Sequence, residues 1–211
     1  MMGGFESSTV EEYIAKLASD EPTPGGGTAA AIALSEGAAL TTMVCNLTLG
    51  REKWNEGWGI AEIALSVAQP MIGLGQKLAN EDAAAFDDVM KAYRMPKETE
   101  ADMSARKSAI REATHEAALV PLKTANSAIE LLSNLPLLAK HGNSNAITDV
   151  GVAALLASTA SKGAIFNVLI NAQSLPDELA NPLLEECSEI KEKTSSYSRE
   201  VMKIVNNYLI N

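Results

Sequence analysis

A segment of two prolines and three glycines, residues 22–28 (PTPGGGT), constrains the fold more than any other part of this sequence. Proline fixes φ and glycine releases it, so the backbone is rigid up to Pro24 and then free to approach its neighbours closely. Residues 28–49 follow without a proline and are rich in alanine and leucine. We therefore predict a shaped loop that leads into a buried helix, with the free N–H groups of its first turn facing a ligand. The alternative is a tight helix entry with no ligand.

Two phosphate-binding motifs match the glycines only in part. Residues 25–30 fit G-x-G-x-x-A, but that motif follows a strand, and residues 13–17 have helical spacing instead. A Walker loop needs a Lys-Ser or Lys-Thr pair after the glycines, and none is present. The sequence therefore indicates neither a dinucleotide site nor a nucleoside triphosphate site.

The composition predicts an all-α protein. The chain has 211 residues, of which 46% are hydrophobic but only 4% aromatic, which suits one buried core formed by closely approaching helices. We predict a single domain over residues 1–211, a bundle of long helices that are partly kinked at prolines. Bends are expected at Pro70 and Pro121, a short separate turn or helix over residues 137–140, and a last helix from about Pro182.

Charge and cysteine usage exclude several classes of function. A net charge of −10 argues against nucleic acid or an anionic membrane surface as partner, because both need clustered basic residues. The two cysteines, Cys45 and Cys187, form no disulfide framework, and the N-terminus has no signal-peptide pattern, so we expect a cytoplasmic protein. Glu36 and Asn46 interrupt the apolar stretch over residues 28–49, which therefore reads as a core helix and not a membrane span.

Small residues recur every four positions in the helix after the glycines: Ala33, Gly37, Thr41 and Cys45. Such a stripe lets another helix, or a second copy of the chain, approach closely. We interpret it as the contact face of a homodimer.

Candidate catalytic groups are carboxylates and amides. His115 and His141 lie in different segments and no metal-binding motif occurs, so no metal is assigned. Glu81 and Asp82 are adjacent, and because helical neighbours diverge by about 100°, only one of them can face a site squarely. Asp82 and Asp149 both stand among apolar residues, where desolvation would raise their pKa for proton transfer. The alternatives are an ion pair for Asp82 and a helix cap for Asp149.

Two amides share one face of a later apolar helix, because Asn167 and Asn171 are four residues apart. Together with the glycine loop they are the polar groups most suited to hold a small molecule. Buried amides need hydrogen-bond partners, which a bound ligand can supply.

Several motifs in order resemble the formiminotetrahydrofolate cyclodeaminase and methenyltetrahydrofolate cyclohydrolase family over nearly the whole chain. They are residues 17–27 (LASDEPTPGGG), 43–54 (MVCNLTLGREKW), 81–86 (EDAAAF), 92–97 (AYRMPK), 143–153 (NSNAITDVGVA) and 167–171 (NVLIN). The resemblance implies an all-helical dimer that acts on folate-bound one-carbon groups without a metal or redox cofactor. This chain departs from the family pattern at Arg51 and Trp54, where lysine and tyrosine are common.

The resemblance also implies roles for the candidate residues. Asp82 or Asp149 would be the acid–base group, with Glu81 as the next candidate. The tetrahydrofolate derivative would be held by four groups of residues: Thr23, Pro24, Gly25, Gly26 and Gly27 in the loop wall; Arg51, Lys53 and Arg106 at the glutamate tail; Asn145; and Asn167 and Asn171 at the pterin or an oxyanion. Cyclohydrolase activity is the first choice and cyclodeaminase activity the second. A non-catalytic helical assembly protein is the third.

Overall fold

The structure is a computed structural model that describes residues 7–210, and in this range the chain is helical with no strand. Six α-helices follow one another: α1 (Val10–Leu17), α2 (Gly26–Thr48), α3 (Trp58–Tyr93), α4 (Glu100–His141), α5 (Ile147–Ala172) and α6 (Asp177–Ile210). Short 3-10 segments at Glu52–Gly57 and Ser144–Ala146 precede α3 and α5. The all-α prediction is confirmed.

Four long helices form a ring in which each packs on two others. α2 contacts α3 and α5, α4 contacts the same two helices, and α6 lies against α4 and α5. α2 and α5 are antiparallel, since Gly26 approaches Asn167 whereas Gly37 approaches Ala153. The core of the bundle consists mainly of alanine and leucine, including Ala31, Leu34, Leu131 and Leu135, which are completely buried. α1 stands apart and has no buried residue.

The stripe of small residues on α2 packs inside the chain. Ala33, Gly37, Thr41 and Cys45 are all buried, and a β-carbon added to Gly37 would lie 3.2 Å from the carbonyl oxygen of Ala153 on α5. The prediction that this stripe is the contact face of a dimer is therefore wrong. Small side chains are required there because α2 and α5 cross at close range within one chain.

Prolines do not divide the long helices into separate elements. α3 continues through Pro70, and α4 is one helix of 42 residues that includes Pro121 and Pro136. The predicted separate segment over residues 137–140 is the last part of α4, because Leu135 and Leu138, on either side of Pro136, are both buried in the core. Core packing there outweighs the loss of one backbone hydrogen bond. α6 likewise begins at Asp177, ahead of Pro182.

Within the described part of the chain, two helical segments have the length and hydropathy of a membrane span, Gly26–Thr48 and Ser144–Ala172. Their apolar windows are 61% and 50% buried inside the bundle, which agrees with a core-helix role for α2. Both cysteines are buried and free, and burial raises the pKa of each thiol to about 11.

Candidate active site

The glycine loop forms one wall of a cavity of about 340 Å³ whose other walls come from α3, α4 and α5. α3 supplies Asp82, Phe86 and Val89, α4 supplies Ala117, and α5 supplies Asn167, Ile170 and Asn171. The loop lines it with Pro22, Thr23, Gly25, Gly26 and Gly27, whereas Pro24 is buried behind this wall. Residues up to 149 positions apart in the sequence, from Pro22 to Asn171, thus meet at one end of the bundle.

Asp82 lies directly on the first turn of α2. Its Oδ2 atom accepts a hydrogen bond of 3.1 Å from the Thr28 hydroxyl, and the carboxylate also accepts one from the Thr28 backbone N–H. Burial raises the pKa of Asp82, and the two bonds from Thr28 oppose that rise in part. The result is a desolvated carboxyl group, held in place on one side and facing a cavity, which is the environment of an acid–base catalyst.

The approach of Asp82 requires glycine at position 27. A β-carbon built on Gly27 would lie 2.6 Å from Cγ and 2.7 Å from Oδ2 of Asp82, and closer still to Oδ1. The same atom on Gly26 meets only Nδ2 of Asn167, at 3.9 Å. The second of the two helical glycines is therefore needed for the carboxylate to reach the helix end.

The amides of Asn167 and Asn171 present acceptors to the cavity. Nδ2 of Asn167 donates to the Gly163 carbonyl at 2.9 Å, and Nδ2 of Asn171 donates to Ala117 at 2.9 Å and to the Asn167 carbonyl at 3.0 Å. Within residues 7–210 neither Oδ1 atom has a hydrogen-bond partner. These side chains are thus suited to receive N–H donors from a ligand, and less suited to stabilise an oxyanion.

Donors come from the backbone of the loop. α2 begins after Gly25, and the amides of Gly26 and Gly27 are in its first turn, where no helical carbonyl is available to them. Neither N–H has a partner in the described part of the chain, and both residues line the cavity. The site therefore combines N–H donors, amide acceptors and one carboxyl group.

Comparison with known proteins places this arrangement in a family. The sequence profile described as formiminotransferase-cyclodeaminase matches residues 9–189. The chain belongs to the formiminotransferase-cyclodeaminase family. It is 37% identical over 210 residues to the methenyltetrahydrofolate cyclohydrolase of Methylorubrum extorquens, an alignment that spans 98% of this chain and 99% of that protein. The resemblance inferred from the sequence motifs is confirmed.

Two further relatives carry the other activity in their names. The formimidoyltransferase-cyclodeaminase of Rattus norvegicus is 31% identical over 172 residues, which are 82% of this chain but only 32% of that protein. The crystal structure of formiminotetrahydrofolate cyclodeaminase from Thermotoga maritima superposes with a TM-score of 0.87 at 28% identity, covering 97% of this chain and 98% of the other. The family fold is thus shared by proteins named for both reactions.

Four of the predicted site residues lie at the opposite end of the bundle. Arg51 and Lys53 follow the C-terminus of the 23-residue helix α2, about 33 Å from the glycine loop. Asn145 and Asp149 lie at the start of α5, and Asn167 is 18 positions after Asp149 on this helix, a distance of about 27 Å. Within one chain these residues do not reach the cavity.

Asp149 is also not the cap of its helix. α5 has Ala146 at the N-cap position, and Asp149 is in the first turn, where a carboxylate is favourable to the helix dipole. Its side chain is half-buried.

Glu81 and Arg106 lie outside the cavity as well. Glu81 pairs with Lys77 at 3.6 Å and borders a separate groove between α3 and α4, so of the adjacent carboxylates it is Asp82 that faces the site. Arg106 lies in a separate groove, where Nε and Nη2 donate to the Tyr93 carbonyl at 3.2 and 3.0 Å.

Sequence reasoning missed six residues of the site, which are Pro22, Thr28, Phe86, Val89, Ala117 and Ile170. Phe86 and Val89 could have been predicted from the sequence, because they follow Asp82 by four and seven positions on α3 and so share its helix face. Thr28 directly follows the glycines. No local signal marks Ala117, whose contribution is a backbone carbonyl.

Proposed function

We propose that this chain is a 5,10-methenyltetrahydrofolate cyclohydrolase that forms 10-formyltetrahydrofolate, with Asp82 as its acid–base group. The observation that carries the proposal is the position of Asp82, a buried carboxyl group on the first turn of α2. Among the residues of the described range 7–210 that line the cavity, Asp82 alone is charged. The full-length relative named methenyltetrahydrofolate cyclohydrolase supports this reaction as the first choice.

The substrate carries its positive charge on the carbon between N5 and N10, so a carboxylate beside it stabilises the bound cation. Water adds to this carbon while Asp82 takes the proton, which gives a neutral tetrahedral adduct. The C–N5 bond then breaks as the adduct hydroxyl becomes the formyl carbonyl, and N5 receives a proton. A pKa raised by burial suits Asp82 both to accept the first proton and to return one.

Recognition of the pterin falls to the polar groups around Asp82. The free Oδ1 atoms of Asn167 and Asn171 accept from the N–H groups of the pterin ring, and the amides of Gly26 and Gly27 donate to its carbonyl oxygen. Phe86 and Ile170 supply apolar surface for the ring. The proposal includes no metal and no organic cofactor, so a chelator should leave the rate unchanged.

Formiminotetrahydrofolate cyclodeaminase activity is the second candidate, favoured by the Thermotoga maritima structure that carries this name. There N10 attacks the formimino carbon and ammonia leaves, so the same carbon bears three heteroatoms in both reactions. One acid–base group and one pterin site can therefore serve either.

The two activities are separated by absorbance. Methenyltetrahydrofolate absorbs in the near ultraviolet, so its loss on adding purified protein supports the cyclohydrolase. Its appearance from formiminotetrahydrofolate, together with released ammonia, supports the cyclodeaminase. If neither occurs, thermal unfolding with reduced folates distinguishes a binding protein from a helical assembly protein, because a site filled to 100 times Kd adds about 2.7 kcal/mol.

We further propose a homodimer formed through the exposed face of α5. Val152, Leu155, Phe166 and Ile170 project from one side of this helix and are 47%, 52%, 70% and 60% exposed. A stripe of apolar residues this long is typical of a contact surface. Ile170 also lines the cavity, so a partner on this face would border the site. It is also the arrangement that can bring Asp149 or Arg51 of a partner near Asp82.

Phe166→Glu tests the dimer. The charge should convert the protein to monomers in light scattering, whereas Leu137→Glu, a matched change at a 55% exposed leucine on α4, should leave the mass unchanged. Equal masses for both variants and the wild type would contradict this interface.

A further inference from the structure

Pro121 lies within α4, four residues after Ala117, at the position whose backbone N–H would normally donate to the Ala117 carbonyl. Proline has no N–H, so this helical hydrogen bond cannot form, and the proline ring also crowds the carbonyl. Both residues are buried. A buried carbonyl without a partner is costly, so the Ala117 oxygen requires a donor from another part of the fold.

Asn171 on α5 supplies that donor. Its Nδ2 atom lies 2.9 Å from the Ala117 carbonyl oxygen and 3.0 Å from the Asn167 carbonyl oxygen, so each of its two amide hydrogens has an acceptor. Because both of these neighbours are acceptors, the amide nitrogen must face them and Oδ1 must face away from them. The bond to Ala117 joins residues 54 positions apart and ties the side chain to a second helix.

A second proline of α4 provides a comparison. Pro136 is also buried within the helix, and it removes the N–H that would donate to the Leu132 carbonyl. Leu132 lies about 22 Å further along α4 than Ala117, outside the cavity. A helix proline by itself therefore does not mark a site. Pro121 differs because the carbonyl that it deprives of a donor is bound by an amide that lines the cavity.

We propose that Pro121 is a positioning residue that acts through Asn171. By removing the helical donor to the Ala117 carbonyl, it fixes the Asn171 amide with Oδ1 as an acceptor for an N–H group of the ligand. The inference rests on the proposed folate function, in which that N–H belongs to the tetrahydropterin ring. Asp82 is held by Thr28 of α2, so Pro121 acts on binding and not on proton transfer.

The test restores the missing N–H. Pro121→Ala and Pro121→Val both do so, and valine also keeps most of the buried volume of the ring. The new N–H competes with Asn171 for the carbonyl, so the KM for methenyltetrahydrofolate should rise about threefold to tenfold, the effect of one ordinary hydrogen bond, with kcat within about twofold. The matched control, Pro136→Ala, restores an N–H in the same helix and should keep the wild-type KM. If one variant at position 121 does not fold, the other carries the comparison.

The Asn171 amide gives a readout that a purely structural proline would not change. Its NH2 signals in an amide correlation spectrum are identified by their absence in Asn171→Leu. Exchange of these protons with water should be about threefold to tenfold faster in Pro121→Val and unchanged in Pro136→Ala. In the Asn171→Leu background, Pro121→Val should cause no further loss of affinity for 5-formyltetrahydrofolate in calorimetry, because the amide through which it acts is gone.

A wild-type KM in the variants at position 121 would overturn the proposal. So would a rise confined to Pro121→Ala, which would indicate lost volume, or a loss of affinity that persists in full with Asn171→Leu. A wild type that neither binds nor turns over folates would refute the proposed function, and the amide of Asn171 would still test the inference. Exchange as slow in Pro121→Val as in the wild type would then show that the proline does not orient this side chain.

Discussion

Gly27→Ala should separate activity from stability, because it adds one methyl group against the carboxylate of Asp82. The new β-carbon would lie 2.6 Å from Cγ and 2.7 Å from Oδ2, whereas nonbonded carbon atoms prefer about 3.5 to 4.0 Å. The Asp82 side chain must therefore move by about 1 Å. The backbone of α2 is fixed by its core contacts, so the short side chain is the part that gives way.

The expected size of each effect follows from the contacts that are lost. Displacing the carboxyl group breaks its bonds to Thr28, which costs about 1 to 3 kcal/mol, while alanine in place of helical glycine returns about 1 kcal/mol. The free energy of unfolding should thus fall by at most about 2 kcal/mol. A catalytic group misplaced by about 1 Å loses about 10²-fold in rate. The variant should be folded and nearly inactive.

The assay is the loss of methenyltetrahydrofolate absorbance, measured beside urea unfolding. Gly26→Ala is the matched control, because its β-carbon meets only Asn167 at 3.9 Å. It should unfold at an equal or higher urea concentration than the wild type. Asp82→Ala/Gly27→Ala should be no less stable than Asp82→Ala, since the clash is gone. Full activity in Gly27→Ala, or an equal loss of stability in both single variants, would refute the contact between Gly27 and Asp82 as the reason for glycine.

Three other predictions follow from the same contacts. Thr28→Val keeps the buried volume but removes the hydroxyl that donates to Asp82, so the pKa of Asp82 should rise. The acid limb of the pH–rate profile should then move to higher pH, and an unmoved profile would contradict this. Asp82→Asn should gain stability relative to the wild type as pH rises from 4 to 7. The raised pKa of Asp82 stabilises the wild-type fold at low pH, and this contribution is lost as pH rises through the pKa that Asp82 has in the folded state. Urea midpoints of the two proteins that change with pH in parallel would count against this. Gly37→Leu should lower the free energy of unfolding by about 1 to 3 kcal/mol, because even its β-carbon lies 3.2 Å from the Ala153 carbonyl; a change in mass alone, without loss of stability, would indicate a dimer face instead.

Local sequence signals predicted most of the fold because they depend on near neighbours. The proline and glycine loop and the proline-free run behind it are where the sequence indicated. The exceptions have a common cause. Pro136 lies within α4 and Gly37 packs inside the chain, and in both cases contacts with distant core residues decide the outcome.

The site was predictable only in part for a related reason. The face of α3 that carries Asp82 and the face of α5 that carries Asn167 and Asn171 could be derived from helical spacing. Helical spacing does not show which end of an antiparallel bundle each motif occupies. Asp149 could therefore not be distinguished from Asp82 before the topology was known. The same limit applied to Arg51, which the sequence grouped with residues about 33 Å away.

The central claim is that Asp82 transfers the proton, and the turnover of Asp82→Asn tests it most directly. Asparagine keeps the shape and the acceptor for Thr28 but cannot take a proton, so kcat should fall about 10²- to 10⁴-fold in a protein that folds normally. Asp149→Asn, measured in the same assay, examines the other candidate. A well-folded Asp82→Asn enzyme that turns over methenyltetrahydrofolate at the wild-type rate would contradict the claim, and a loss confined to Asp149→Asn would assign the proton transfer to Asp149.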